Sequence, residues 1–124
     1  MDVYETHINQ FNHNKKFLSF GISNQKESFH DWEITVTFYA AIHLIEAILS
    51  SECSINQVHS HEDRDTKIND NYAVFGSIRK DYFFLKTLAW TARYSGYVNV
   101  SPDDSKQAQE RLENIQFELR QYIK

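Results

Sequence analysis

Cysteine occurs once, proline once and glycine only three times in this chain of 124 residues. The single cysteine, Cys53, excludes an intramolecular disulfide framework and any cysteine-based zinc site. It fits a reducing, cytoplasmic setting. Scarce glycine and proline argue against β-sandwiches and barrels, whose tight turns use both, and favour a few long helices joined by short loops. Basic charge is not in excess either: 13 Lys and Arg face 17 Asp and Glu, a formal net charge of -4. Bulk electrostatics therefore repels nucleic acid, and nucleotide binding requires a local basic patch. The N-terminus, MDVYETHINQ, is polar, so no secretory signal is read there. No internal repeat, low-complexity tract or linker divides the chain, and residues 1–124 read as one domain.

What the chain does have is apolar and aromatic material. Hydrophobic residues make up 41% and aromatics 15%, enough for one core at this length. The densest stretch is DWEITVTFYAAIHLIEAIL, Asp31 to Leu49. At about 100° per residue, Trp32, Thr35, Tyr39, His43 and Glu46 fall within a sector of about 80°. The rest of the circumference is mostly Ile, Val, Phe, Ala and Leu, the pattern of a buried helix. Asp31, Glu33, His43 and Glu46 interrupt the run, so no membrane span is expected.

Chemical punctuation predicts five helices, an all-α up-and-down bundle of four long helices and one short one. The first runs from Val3 to Phe20, with Tyr4, Ile8, Phe11 and Leu18 on one face and Gly21 as its stop. The second begins at Ser28, where Ser28-Phe29-His30-Asp31 has the form of a capping box, and ends near Ser50. Ser51 to His59 reads as a loop. Ser60-His61-Glu62-Asp63 opens a short third helix, from His61 to Asn69. The fourth spans Ala73 to Tyr94 and stops before Gly96. Ser101-Pro102-Asp103-Asp104 starts the fifth with a capping serine, a proline in the first turn and two acids facing the helix dipole. Its core stripe is Ala108, Leu112, Ile115, Leu119 and Tyr122.

The fourth helix carries two apolar faces. Val74, Ile78, Tyr82, Leu85, Ala89 and Ala92 make one, expected in the core; Phe83, Trp90 and Tyr94 lie roughly opposite. That second face either packs under the first or fifth helix or forms a homodimer interface.

Two constellations carry candidate chemistry. His61 and Arg64 lie one turn apart at a helix N-terminus, where free N–H groups and the dipole favour an anion. Imidazole and guanidinium there can bind phosphate or serve in phosphodiester cleavage as acid/base and charge stabiliser. Alternatively both are solvated, with Arg64 paired to Glu62, Asp63 or Asp65. Tyr39, His43 and Glu46 on the second helix form the other set. They either belong to a site or tie helices together through Tyr82 or Arg93. Arg93-Tyr94 closes the fourth helix; Arg93 either caps it or turns inward to Glu46. No helix carries Glu-x-x-His or His-Glu-x-x-His, and Gly-rich phosphate loops and nucleophile elbows are absent. Neither a metal site nor a cofactor is expected.

The run Trp32-x5-Phe38-Tyr39-Ala40-Ala41-Ile42-His43-x2-Glu46-Ala47, followed by His61-x2-Arg64, Tyr82-x2-Leu85 and Ala92-Arg93-Tyr94, resembles small bacterial HEPN-like proteins. HEPN denotes the higher eukaryotes and prokaryotes nucleotide-binding superfamily. The resemblance covers roughly residues 28–120. It implies a helical bundle that commonly dimerises. Many members are metal-independent ribonucleases of toxin–antitoxin, abortive-infection and CRISPR-linked systems; others bind nucleotides or act as interaction modules. The active ribonucleases carry Arg, four to six residues, then His. Here all six histidines, of which His61 is the last, precede the first arginine, Arg64, so that motif is missing. His61-x2-Arg64 supplies the same side chains in reverse order.

Three functions follow as expectations. The first is a dimeric HEPN-like protein binding a nucleotide or RNA, or regulating a partner that does. Its site would lie where Tyr39, His43 and Glu46 meet His61, Arg64, Tyr82, Arg93 and Tyr94. The second is phosphodiester cleavage or nucleotidyl transfer by His61 and Arg64, favoured if these two and His43 converge on one open cleft. The third is a non-catalytic module that docks a protein partner on the Phe83/Trp90/Tyr94 face.

Overall fold

The computed structural model describes residues 2–20, 29–95 and 99–124. Every regular element among them is helical. They are α1 (Val3–Phe20), α2 (His30–Cys53), α3 (His61–Asp70), a single-turn α4 (Tyr72–Phe75), α5 (Arg79–Tyr94) and α6 (Pro102–Glu118). A tight 3₁₀ turn, Gly76–Ile78, joins α4 to α5, and another follows α6 at Arg120–Tyr122. The four long helices α1, α2, α5 and α6 form the bundle. α2 is its centre, packed against α1, α5 and α6, while α5 also packs on α6. The expected helix ends at Gly21, Ser28 and Gly96 lie outside the described residues.

α2 owes its central place to composition. Ile34, Phe38, Ala40, Ala41, Leu44, Ile45, Ala47, Ile48 and Leu49 are fully buried. At about 25 cal/mol per Å² of apolar surface removed from water, a helix so covered supplies much of the folding drive. It is long and apolar enough to cross a membrane, yet 61% of its most apolar window is buried inside the protein. Its polar stripe is not buried all along: Thr35 is buried, His43 and Glu46 face α1 and α3, and only the Trp32 and Tyr39 positions open to solvent. Trp32 is 58% exposed and Tyr39 is half-exposed.

α2 continues one turn past the expected end near Ser50. Cys53 and Ile55 pack partly against the core and hold the last turn in place. Ser54 then stops the helix in a left-handed conformation, φ 58°, its N–H and that of Ile55 both donating to the Leu49 carbonyl. At α3, the Ser60 hydroxyl accepts from the Asp63 N–H at 3.0 Å. The Asp63 carboxylate reaches back one residue further than in a standard box, accepting from His59 N–H at 2.9 Å. At α6 both halves of the box close: Asp104 N–H donates to Ser101 Oγ at 3.1 Å and Ser101 N–H to Asp104 Oδ2 at 2.9 Å.

The predicted fourth helix is broken. The 3₁₀ turn at Gly76–Ile78 interrupts it, and the reason lies in its flanking side chains. In a 3₁₀ turn, residues three apart eclipse one another. Phe75 and Ile78 therefore both point into the core, fully buried. The core face of α5 then follows as read: Tyr82, Leu85, Ala89 and Ala92 are all buried. The opposite face is not covered by α1 or α6. Trp90 is 57% exposed and Tyr94 67%.

Candidate functional site

α3 lies beside α2 and α5, tied to α2 through Arg64 and to α5 through Asp65. The Arg64 side chain is buried, 8% exposed overall. Nη1 donates to His61 Nδ1 at 2.8 Å, and Nη2 lies 3.7 Å from Glu46 Oε1 on α2. Nε has no hydrogen-bond partner. Glu62, Asp63 and Asp65, the partners of Arg64 in the alternative reading, are not in ion-pair contact with it. Asp63 pairs with Lys67 at 2.8 Å, and Asp65 with Lys86 of α5. Tyr82 Oη donates to the other Asp65 oxygen at 2.8 Å. Burial and that bond to a carboxylate push the Tyr82 phenol well above its usual range.

The Arg64 contact fixes the chemistry of His61. Guanidinium is only a donor, so Nδ1 must offer its lone pair, and the neutral ring carries its proton on Nε2. Partial burial, then the positive charges of Arg64, Arg93 and Lys86, hold its pKa below the ordinary value of 6.5. The ring stacks on Phe38, centroids 5.8 Å apart and planes 29° apart. In this arrangement His61 presents an N–H donor. Accepting a proton at Nδ1 would set two donors against each other, so the ring is badly placed as a general base.

Arg93 does not reach Glu46, the inward contact read from the sequence. Its Nη1 donates to Tyr39 Oη at 3.1 Å, and its guanidinium lies 5.4–5.9 Å from the ring centres of Phe38, Tyr39 and Tyr94. His61, Phe83, Lys86, Thr87, Trp90 and Arg93 line one open groove of about 300 Å³. Its α5 residues recur at i, i+3, i+4, i+7 and i+10, one face of one helix. That spacing is present in the sequence, where Lys86 and Thr87 stand between the aromatics at helical intervals.

Arg64, His43 and Glu46 are not among the residues lining this groove, so it does not supply the meeting of His61, Arg64 and His43 in one cleft that would favour the catalytic alternative. Arg64 sits behind His61 as a positioning group, with Glu46 beyond it. His43 turns the other way. Its Nδ1 lies 2.8 Å from Nδ1 of His7 on α1, with ring centres 5.1 Å apart. Burial, His7 and Arg64 lower its pKa from 6.5 to about 4. Of the second constellation, Tyr39 joins the groove side through Arg93, while His43 and Glu46 link helices. One ligand atom from each of His7, His43 and Glu46 lies within 4.8 Å of the others, a set that no short-range spacing announces.

No family model matches this chain, no curated protein matches it, and no solved structure matches it.

Proposed function

We propose that this protein binds a nucleotide, free or as one residue of a single-stranded RNA, in the groove between α3 and α5. One observation carries the reading: an exposed indole, Trp90, shares a groove with the cations Lys86 and Arg93 and with the His61 ring. Nucleobases stack on aromatic rings irrespective of sequence, and phosphates take charge-assisted bonds from Lys and Arg. Lys86 uses only one of its three donors on Asp65, and the His61 Nε2–H is a further donor at the same wall. The volume stands at the lower end of small-ligand sites. This is the local basic patch that an acidic chain requires.

The reading is one of binding, because the contact that orients His61 also opposes its protonation. It accords with the HEPN resemblance, whose non-catalytic members bind nucleotides, and with a cytoplasmic role in a bacterial defence or toxin–antitoxin setting. Fluorescence polarisation with labelled single-stranded RNA octamers, competed by free nucleotides, tests it. Lys86→Gln and Arg93→Gln should each weaken binding by about tenfold, the loss of one charge-assisted contact. Absence of binding to every RNA and nucleotide at millimolar concentration would sink it. Cleavage of the same RNAs, lost in His61→Ala, would replace binding with phosphodiester chemistry.

Exposed Tyr94 and Trp90, with centroids 5.6 Å apart, favour a second feature. We propose that Tyr94, at the groove's rim and outside its lining, contributes to a homodimer contact that leaves Trp90 open to the base. Sedimentation at micromolar concentration should give twice the chain mass of 14.7 kDa.

A further inference from the structure

We propose that His7, His43 and Glu46 form a binding site for a late first-row divalent ion, of which Zn²⁺ is the probe of choice. The site is separate from the groove and does not depend on nucleotide binding.

The argument begins with the helix pair. α1 and α2 are locked together by Phe11 and Leu18 of α1 against the apolar wall of α2. That packing places His7 opposite His43, and Glu46 stands one turn further along α2. The three side chains are partly buried, and one donor atom of each falls within 4.8 Å of the others. Two imidazoles and one carboxylate are a donor set suited to Zn²⁺, Co²⁺ or Ni²⁺ rather than to Mg²⁺ or Ca²⁺. Three protein ligands would leave further positions for water.

Distance supports the imidazole pair. The Glu46 carboxylate, within 4.8 Å, joins it by a turn of its side chain that brings it inside the span of about 4.2 Å allowed to two ligands of one ion. With metal–nitrogen bonds of about 2.05 Å, two nitrogens 2.8 Å apart subtend about 86° at a shared ion. That is close to the right angle between neighbouring octahedral ligands. A tetrahedral ion needs about 3.3 Å, an opening of about 0.5 Å that a change of side-chain torsion provides. Without an ion, the two Nδ1 atoms are in contact only if one donates and the other accepts. A metal removes that requirement, since both lone pairs then point at the cation.

Glu46 has two carboxylate oxygens, and Arg64 approaches Oε1 at 3.7 Å, longer than a direct hydrogen bond. The carboxylate can therefore serve the ion and the guanidinium together. The Arg64 charge lowers the affinity relative to a site without a neighbouring cation.

Isothermal titration of the chelator-treated full chain with Zn²⁺ tests the proposal, with Co²⁺ absorption as a spectroscopic signature of ligation. One Zn²⁺ should bind per chain and raise the thermal midpoint. His7→Gln and His43→Gln should each weaken binding at least about tenfold, whereas His13→Gln and His59→Gln should leave it unchanged. Circular dichroism checks folding; should His43→Gln unfold, His7→Gln, on the outer helix, decides. Retained affinity in His7→Gln would overturn the site. So would equal binding of Mg²⁺, or no Zn²⁺ or Co²⁺ binding at about 100 µM, a free energy near -5.5 kcal/mol.

Discussion

The two faces of α5 obey different rules. Tyr82, Leu85, Ala89 and Ala92 look inward and are buried against α2 and α6, where size and shape decide which residue fits. Phe83, Lys86, Thr87, Trp90 and Arg93 look outward along the groove. No packing requirement explains an indole that is 57% exposed beside two cations. The difference teaches that one helix can carry the fold on one face and leave the other free for recognition. Arg64 marks the boundary. It belongs to the interior by burial and to the groove by the hydrogen bond that orients His61.

The comparison breaks most readily on the inner face. Leu85→Ala should cost about 2–5 kcal/mol, the price of a cavity in a closed core, measured by urea denaturation. A loss under 1 kcal/mol would mean that the inner face is not packed as described. Next comes Arg64→Met, which leaves Glu46 without its cation and frees His61 Nδ1. A loss of about 2–3 kcal/mol is expected, since a half-broken buried pair strands a charge. An unchanged stability would show that Arg64 is not an internal tie.

A smaller effect sharpens the boundary. The His61 midpoint, followed by NMR, should lie below 6.5 in the wild type and move up towards that value in Arg64→Met. The groups that face the ring are Arg64 and Asp65 on α3 and Lys86 and Arg93 on α5. Because the folded-state pKa is depressed, the unfolded chain takes up this proton first as pH falls. The His61 contribution to stability therefore declines as pH drops below 6.5 through the folded value. A wild-type midpoint at or above 6.5 would contradict the Arg64 contact. The smallest stability change is expected outside: Trp90→Leu should alter unfolding by no more than about 0.5 kcal/mol while weakening RNA binding. A large loss of stability would make Trp90 a packing residue.

Local chemistry was legible where it acts locally. Ser101 with Asp104, Ser60 with Asp63 and the α6 stripe of Ala108, Leu112 and Ile115 could all be read because each depends on neighbours within a turn or two. The break at Gly76–Ile78 could not, since the pull of Phe75 and Ile78 towards the core is set by other helices. The extra turn of α2 past Ser50 depends on Cys53 and Ile55 finding that same core. For the candidate sites the division is similar. His61 and Arg64 were recognisable at i and i+3, but burial of the guanidinium against Glu46 is a tertiary fact. The contact of His7 with His43 spans 36 positions and depends on the packing of α1 on α2. The α5 groove was readable by spacing, with Lys86 and Thr87 standing between the aromatics.

In the proposed function the outer face of α5 meets nucleic-acid phosphate through Lys86. This contact is tested most directly by the salt dependence of single-stranded RNA binding in wild type and Lys86→Gln. Losing one phosphate contact should reduce the slope of log affinity against log salt by about 0.7 and weaken binding at low salt. An unchanged slope and affinity in Lys86→Gln would contradict the account.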